Sequence, residues 1–166
     1  KKYYVRAEKE TYTTTEVPVI IAKESGITEL PIELDSAVKA IPVGGDLADV
    51  FGINLIYFDL DKWNIRPDAA IDIAKILDVL NQYPTMKIDI RSHTDSRQTH
   101  KYNEVLSDRR AKSTRDWLIK HGIAPERLTA KGYGETQLVN KCADNVECSE
   151  AEHQLNRRSQ FIITDL

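Results

Sequence analysis

From Val50 onward the chain alternates between two hydrophobic patterns, and this alternation limits the folds it can adopt. The segments VFGINLIYFD and MKIDIRSH show the apolar run or every-second-residue pattern of strands. Residues 66–84 and about 103–121 show the three- and four-residue spacing of amphipathic helices. Strands are also predicted in RLTAKGYGE and RRSQFIITDL, with a short helix over SEAEHQLN. The order β-α-β-α-β-(α)-β predicts an α+β two-layer sandwich, with a mixed sheet and helices on one face.

The first 40 residues have a different composition and predict an N-terminal β extension. They are rich in Thr, Val, Tyr and Ile, which indicates two or three strands, too few for a closed sandwich. The next segment contains Pro42 and the Gly44-Gly45 pair, residues that interrupt helices and strands. We therefore expect a β-rich tail of an upstream domain at 1–40, a linker at 41–49 and the main domain at 50–166.

Length and charge exclude several classes of function. The 166 residues carry a net charge of −3, which gives no reason to expect nucleic-acid binding, because phosphate binding usually needs a basic face. No apolar run approaches the ~20 residues of a membrane span. The chain begins without methionine, and we interpret it as a piece of a longer protein, so the lack of a targeting signal says little.

Two cysteines lie in the segment NKCADNVECSE, at Cys142 and Cys148. A zinc site is disfavoured because there is no second cysteine pair and His153 alone lies near. A disulfide fits better and would indicate an oxidising compartment. Two free thiols in a loop remain the alternative.

An arginine lies on the apolar stripe of the second predicted helix. With Val105 at zero, Arg110 falls at about 140°, between Leu106 at about 100° and Thr114 at about 180°. Asn103 falls on the same face, at about 160°. An unpaired buried guanidinium is costly, so this side chain needs partners. It could form an internal salt bridge, extend to solvent, or face a groove and bind a ligand carboxylate.

Two aspartates at strand ends are candidate partners, either for Arg110 or for a ligand. Asp95 lies in the loop before this helix, where an aspartate commonly bonds nearby backbone amides. Alternatively, Asp95 and Arg110 could flank one cleft and bind a zwitterion, with Asp59 as a second acid on the rim. No P-loop, dinucleotide fingerprint or Gly-x-Ser-x-Gly motif is present, and residues 59–70 fail the EF-hand pattern. We expect no metal, no cofactor and no catalysis.

Several motifs occur in the order and spacing of a known family. They are IYFDLDKWNIRPDA, IRSHTDSRQTHKYNEVLSDRRAKSTRDWLIKHGI, RLTAKGYGE and NRRSQFII. From about Val50 to Ile163 the chain resembles the OmpA-like peptidoglycan-binding domain, the C-terminal family of OmpA, Pal and MotB. The cysteine loop resembles the version in outer-membrane proteins of Bacteroidetes-type bacteria. There the domain often follows a carboxypeptidase-regulatory-like domain, whose last strands residues 1–40 would be.

The resemblance implies a non-catalytic, periplasmic module that anchors the outer membrane of a Gram-negative bacterium to the cell wall. Its partner would be the peptidoglycan peptide stem, bound through meso-diaminopimelate. Asp95 would accept the ammonium group and Arg110 would bind the carboxylate. The other implied contacts are Thr94, Asn103, Leu106, Asp59, Leu60, Asp61 and Arg157. The alternative is a protein-interaction module of the same fold without a cell-wall ligand.

One departure from the family pattern affects the loop after Asp95. Many relatives have a glycine soon after the Thr-Asp pair, whereas this chain has Ser96-Arg97-Gln98. The loop is therefore expected to be stiffer or more basic than usual, and the ligand contacts of residues 96–99 stay open.

Overall fold

The computed structural model describes residues 2–7, 15–20, 32 and 41–166 and divides the chain into two units, 1–41 and 42–166. In the first unit, β1 (Lys2–Ala7) pairs antiparallel with β2 (Thr15–Ile20). A third candidate strand, in ITELPIEL, lies outside the described residues apart from Ile32. The assignment of 1–40 to an upstream carboxypeptidase-regulatory-like domain stays a prediction.

The second unit contains four helices and four strands. The helices are α1 (Leu47–Phe51), α2 (Pro67–Gln82), α3 (His100–Lys120) and α4 (Glu150–Asn156). The strands are β3 (Ile56–Tyr57), β4 (Lys87–Ser92), β5 (Leu128–Gly132) and β6 (Arg158–Asp165), and a 3₁₀ turn covers Pro125–Arg127. The sheet order is β3-β6-β4-β5, with β4 and β5 parallel and the other pairs antiparallel. The predicted α+β class with a mixed sheet is confirmed.

The core lies between one face of this sheet and helices α2 and α3. Ile88 pairs with Ile163 and Ile90 with Phe161, and all four side chains are buried. The alternate residues of β4 are exposed or half-buried, so the opposite face is not covered to the same extent. In the part of the chain that the structure describes, no helix is both long and apolar enough to cross a membrane.

The segment before β3 differs from the prediction. The expected strand over 50–59 is wrong in its first half, because Leu47–Phe51 is helical and β3 covers two residues. The Asp46 carboxylate caps this helix by accepting from the Ala48 backbone N–H at 3.0 Å. Gly52 ends it in the left-handed conformation, at φ 65°.

The segment predicted as a linker is part of the folded unit. Leu47 is fully buried, and the Gly44 backbone N–H donates to the Ile163 carbonyl at 2.7 Å. The Asp46 carboxylate also accepts from the Phe161 N–H, at 3.1 Å. Residues 44–47 therefore belong to the unit 42–166, and residues 44–46 bond directly to β6.

Cys142 and Cys148 form a disulfide, which excludes both the zinc and the free-thiol alternatives. Cys142 is fully buried, and its carbonyl accepts from the Ser96 hydroxyl at 2.6 Å. The disulfide loop is thereby attached to the loop that follows β4.

Removing the disulfide by replacing both cysteines with alanine is expected to lower the free energy of unfolding by about 2 kcal/mol. Short as the closed loop is, the cross-link reduces the chain entropy of the unfolded state. Urea unfolding of the oxidised protein, the reduced protein and the double variant measures the difference. An unchanged midpoint in fully reduced protein would contradict the expectation.

Candidate ligand-binding site

The candidate site is built from the loop between β4 and α3. Thr99 begins α3 as its N-cap, with its hydroxyl accepting from the Tyr102 N–H at 3.3 Å. Asn103, one turn into the helix, donates its amide to the carbonyls of Asp95 at 3.1 Å and Gln98 at 3.3 Å. These bonds fix the position of Asp95 relative to the buried face of α3.

Eight of the nine predicted site residues line one cavity. They are Leu60, Asp61, Thr94, Asp95, Asn103, Leu106, Arg110 and Arg157, and Gln98 joins them. The ninth, Asp59, does not line it, because its carboxylate pairs with Arg66 at 2.9 Å. The free volume inside the cavity is about 10 Å³, far less than the ~300 Å³ at which ligand pockets usually begin. The role of these residues as ligand contacts stays a prediction.

Arg110 is fully buried, and its partners are backbone carbonyls. Its Nε donates to the Lys62 carbonyl at 2.8 Å, and its Nη2 donates to the Asp59 carbonyl at 2.9 Å. A longer bond of 3.4 Å joins Nη1 to the His93 carbonyl. Among the described residues there is no ion pair between Arg110 and a carboxylate. The salt-bridge and solvent-exposed alternatives for Arg110 are therefore wrong.

The guanidinium of Arg110 keeps two donors for a further partner. A guanidinium has five N–H donors. The bonds to the Lys62, Asp59 and His93 carbonyls use three of them, one on each nitrogen. Within the described chain, Nη1 and Nη2 therefore each keep one N–H, and these two nitrogens can together bind a carboxylate in a bidentate manner. Burial and the nearby charge of Arg157 lower the pKa of Arg110 to about 10, so it remains charged at neutral pH.

Asp95 is buried and already holds two guanidinium groups. Its Oδ2 accepts from Arg157 Nη1 at 2.7 Å and from Arg97 Nη2 at 2.8 Å. Its Oδ1 accepts from the Arg97 backbone N–H at 3.2 Å, which is the local amide bond that a loop aspartate commonly makes. Burial alone would raise the pKa of Asp95, but the bonds from Arg97 and Arg157 outweigh it and hold the pKa below the usual value.

Arg157 lies at the C-terminal end of α4 and connects Asp95 to that helix. Its Nη2 donates to Glu150 at 2.6 Å and also to the Gln154 side chain. Two buried polar atoms among the described cavity-lining residues lack a protein partner, Arg157 Nε and the Thr94 hydroxyl. Such atoms are costly to bury unpaired, so a bound polar ligand would relieve them.

Sequence reasoning missed Gln98, Glu150 and the ion pair of Arg97. The pairing of Glu150 with Arg157 could have been predicted from spacing. Glu150, Gln154 and Arg157 stand at i, i+4 and i+7, and α4 with its C-cap residue places them on one face. No pattern in the sequence predicts that Arg97 turns back onto Asp95.

A group beside the cavity could offer metal ligands. One ligand atom each of His100, Glu135 and Asp144 lies within 4.8 Å of the others. His100 Nδ1 lies 2.7 Å from the Glu135 carboxylate, whose second oxygen accepts from the Asn103 amide. These groups already pair with one another, so their positions are explained without a metal.

Comparison with known proteins places the domain in a family. A model described as OmpA family matches residues 57–152. Outer membrane porin F of Pseudomonas fluorescens is 40% identical over 113 residues, which cover 68% of this chain and 33% of the porin. A peptidoglycan-associated lipoprotein of Mesorhizobium japonicum is 38% identical over 104 residues, 61% of each chain.

A solved structure agrees with these sequence matches. The crystal structure of the peptidoglycan-associated lipoprotein from Burkholderia pseudomallei has a TM-score of 0.61 and 25% identity, covering 68% of this chain and 91% of that one. These relatives are named as a porin and as peptidoglycan-associated lipoproteins, and none of these names is that of an enzyme. The chain spans a third of the porin's length and less than two thirds of the lipoprotein's. The family model covers more than half of the chain, which therefore belongs to the OmpA family.

Proposed function

We propose that this domain binds the peptide stem of peptidoglycan through meso-diaminopimelate and so anchors the outer membrane to the cell wall. The binding is non-catalytic. The side-chain end of meso-diaminopimelate carries an ammonium and a carboxylate on one carbon, so it needs a carboxylate and a paired donor in one small cavity.

The observation that carries the proposal is the unfinished hydrogen bonding of Arg110. Three backbone carbonyls orient its guanidinium rigidly, and the two remaining N–H groups suit one ligand carboxylate. A guanidinium held in place before binding loses little side-chain entropy when the ligand arrives.

The other walls of the cavity suit the rest of the ligand. Asp95 is ionised at neutral pH and would accept the ammonium group as a charge-assisted hydrogen bond. Leu60 and Leu106 provide apolar surface for the methylene chain between the two ends of diaminopimelate. The Thr94 hydroxyl is free to bond a ligand polar atom.

The cellular setting of the proposal comes from the relatives' names and from the disulfide. A peptidoglycan-associated lipoprotein and an outer membrane porin are among the relatives. A disulfide persists in an oxidising compartment such as the bacterial periplasm. We accordingly assign the domain to the periplasm of a Gram-negative bacterium, and the cysteine loop is the feature that would indicate a Bacteroidetes-type parent protein.

One observation favours the alternative of a protein-interaction module without a cell-wall ligand. The cavity is small, and Asp95 already accepts from Arg97 and Arg157. If this arrangement never opens, diaminopimelate has no access to Asp95.

Sedimentation with purified sacculi tests the proposal. The protein is expected to sediment saturably with sacculi whose stems contain meso-diaminopimelate and to stay in solution with sacculi whose stems contain lysine. Free meso-diaminopimelate should release it, whereas Nα-acetyl-L-lysine amide should not, because that compound has an ammonium group but no free carboxylate for Arg110 to bind.

Each part of the proposal has its own contradicting result. No sedimentation with either kind of sacculus would contradict cell-wall anchoring. Equal sedimentation with both kinds, insensitive to free meso-diaminopimelate, would contradict diaminopimelate as the recognised group.

A further inference from the structure

Arg97 occupies the position at Asp95 that the proposed ligand needs. We infer that Arg97 is a displaceable counter-ion: it closes the site in the unbound protein, and the ligand's ammonium group must replace it. The inference rests on the proposed function, and it assigns to Arg97 control of access and affinity at that same site.

The contacts of Arg97 cover both oxygens of the Asp95 carboxylate. The guanidinium approaches Oδ2 with Nη2 at 2.8 Å and Nε at 3.3 Å, while the Arg97 backbone N–H reaches Oδ1 at 3.2 Å. With Arg157 also on Oδ2, an arriving ammonium finds the strongest acceptor position taken.

Exposure identifies Arg97 as the group that moves. The Arg157 side chain is 4% exposed and is held by Asp95 and Glu150, whereas the Arg97 side chain is 33% exposed. Arg97 also has a second partner, since its Nη1 donates to Glu150 at 2.7 Å, and the Glu150 side chain is 63% exposed. Arg97 can therefore leave Asp95 and keep an ion pair at the surface.

The exchange also sets a requirement on the ligand. Asp95 is buried, so it needs a positive partner at all times. A ligand ammonium can replace the positive contact that Arg97 gives up, whereas a neutral ligand group would leave Asp95 with one charged partner, Arg157. Molecules in which Arg97 still contacts Asp95 do not bind the ligand. The apparent affinity is therefore lower than the intrinsic affinity by the fraction of molecules in which Arg97 has moved away.

Replacing Arg97 with alanine is expected to tighten binding to meso-diaminopimelate-containing sacculi by about two- to fivefold, the range of a partly exposed ion pair. Arg97→Lys, which keeps the charge but not the forked contact, should bind about as tightly as the wild type. The matched control is Arg115→Ala, because the Arg115 side chain is also 33% exposed and pairs with Asp116 at 2.8 Å. Its dissociation constant should not change.

A ligand-free measurement separates this inference from the proposed function. NMR titration of the Asp95 carboxyl should show a higher pKa in Arg97→Ala than in the wild type, because a bond that favours the ionised form has been removed. An unchanged titration overturns the counter-ion role. The counter-ion role is also overturned if the wild type binds sacculi and Arg97→Ala binds them with the same or a weaker affinity. Absence of sacculus binding in the wild type and every variant overturns the proposed function itself.

Discussion

Replacing Arg110 with methionine is expected to lower the free energy of unfolding by about 3 kcal/mol or more. The variant keeps much of the side-chain volume but removes the Arg110 donor from the Lys62 and His93 carbonyls. It leaves the Asp59 carbonyl with the Lys62 backbone N–H alone, at 3.2 Å. Each buried acceptor that loses its partner costs about 1–3 kcal/mol. Urea unfolding followed by circular dichroism measures the loss.

The neighbouring Arg109 provides the matched control. It is exposed and stacks on the Trp63 ring at 4.8 Å, so Arg109→Met should cost no more than about 1 kcal/mol. Equal losses in the two variants would show that the carbonyl contacts of Arg110 do not stabilise the fold. Because Arg110 has this structural role, its replacement does not separate ligand binding from stability.

Replacing Asp95 with asparagine is expected to weaken binding to meso-diaminopimelate-containing sacculi by about 30-fold or more. Losing one partner of a buried, hydrogen-bonded charge pair costs about 2 kcal/mol or more. Asparagine has nearly the same shape, and its carbonyl oxygen can still accept from Arg157, so the fold should remain. The dissociation constant is measured by sedimentation at several protein concentrations.

Asp108 on the exposed side of α3 serves as the control for this loss of charge. It pairs with Lys112 at 2.6 Å and is 37% exposed, so Asp108→Asn removes the same charge away from the cavity. Its affinity should equal that of the wild type. If Asp95→Asn binds as well as Asp108→Asn, Asp95 does not contact the ligand.

Helical periodicity was sufficient to predict which arginine faces the interior. Asn103, Leu106, Arg110 and Thr114 are all buried on α3, as the angular positions indicated. Periodicity predicts a face but not the partners on that face. The acceptors of Arg110 lie 17 to 51 residues away in the chain, so the salt-bridge alternative could be ruled out only from the tertiary structure.

Short elements were predicted less well, for a related reason. Residues 47–51 belong to a five-residue helix, too short to show a helical period within a run of apolar residues. The cap signals were present, since Asp46 precedes the helix and Gly52 follows it. The contact between Arg97 and Glu150 joins residues 53 apart, which no local pattern can indicate.

A crystal of the protein soaked with meso-diaminopimelate tests the central claim most directly. The account predicts the ligand ammonium about 2.7–3.2 Å from the Asp95 carboxylate, and the ligand carboxylate on the two free N–H groups of Arg110. Arg97 should have turned from Asp95 toward Glu150. Diaminopimelate bound outside this cavity, or a cavity left empty at saturating ligand with Arg97 still on Asp95, would contradict it.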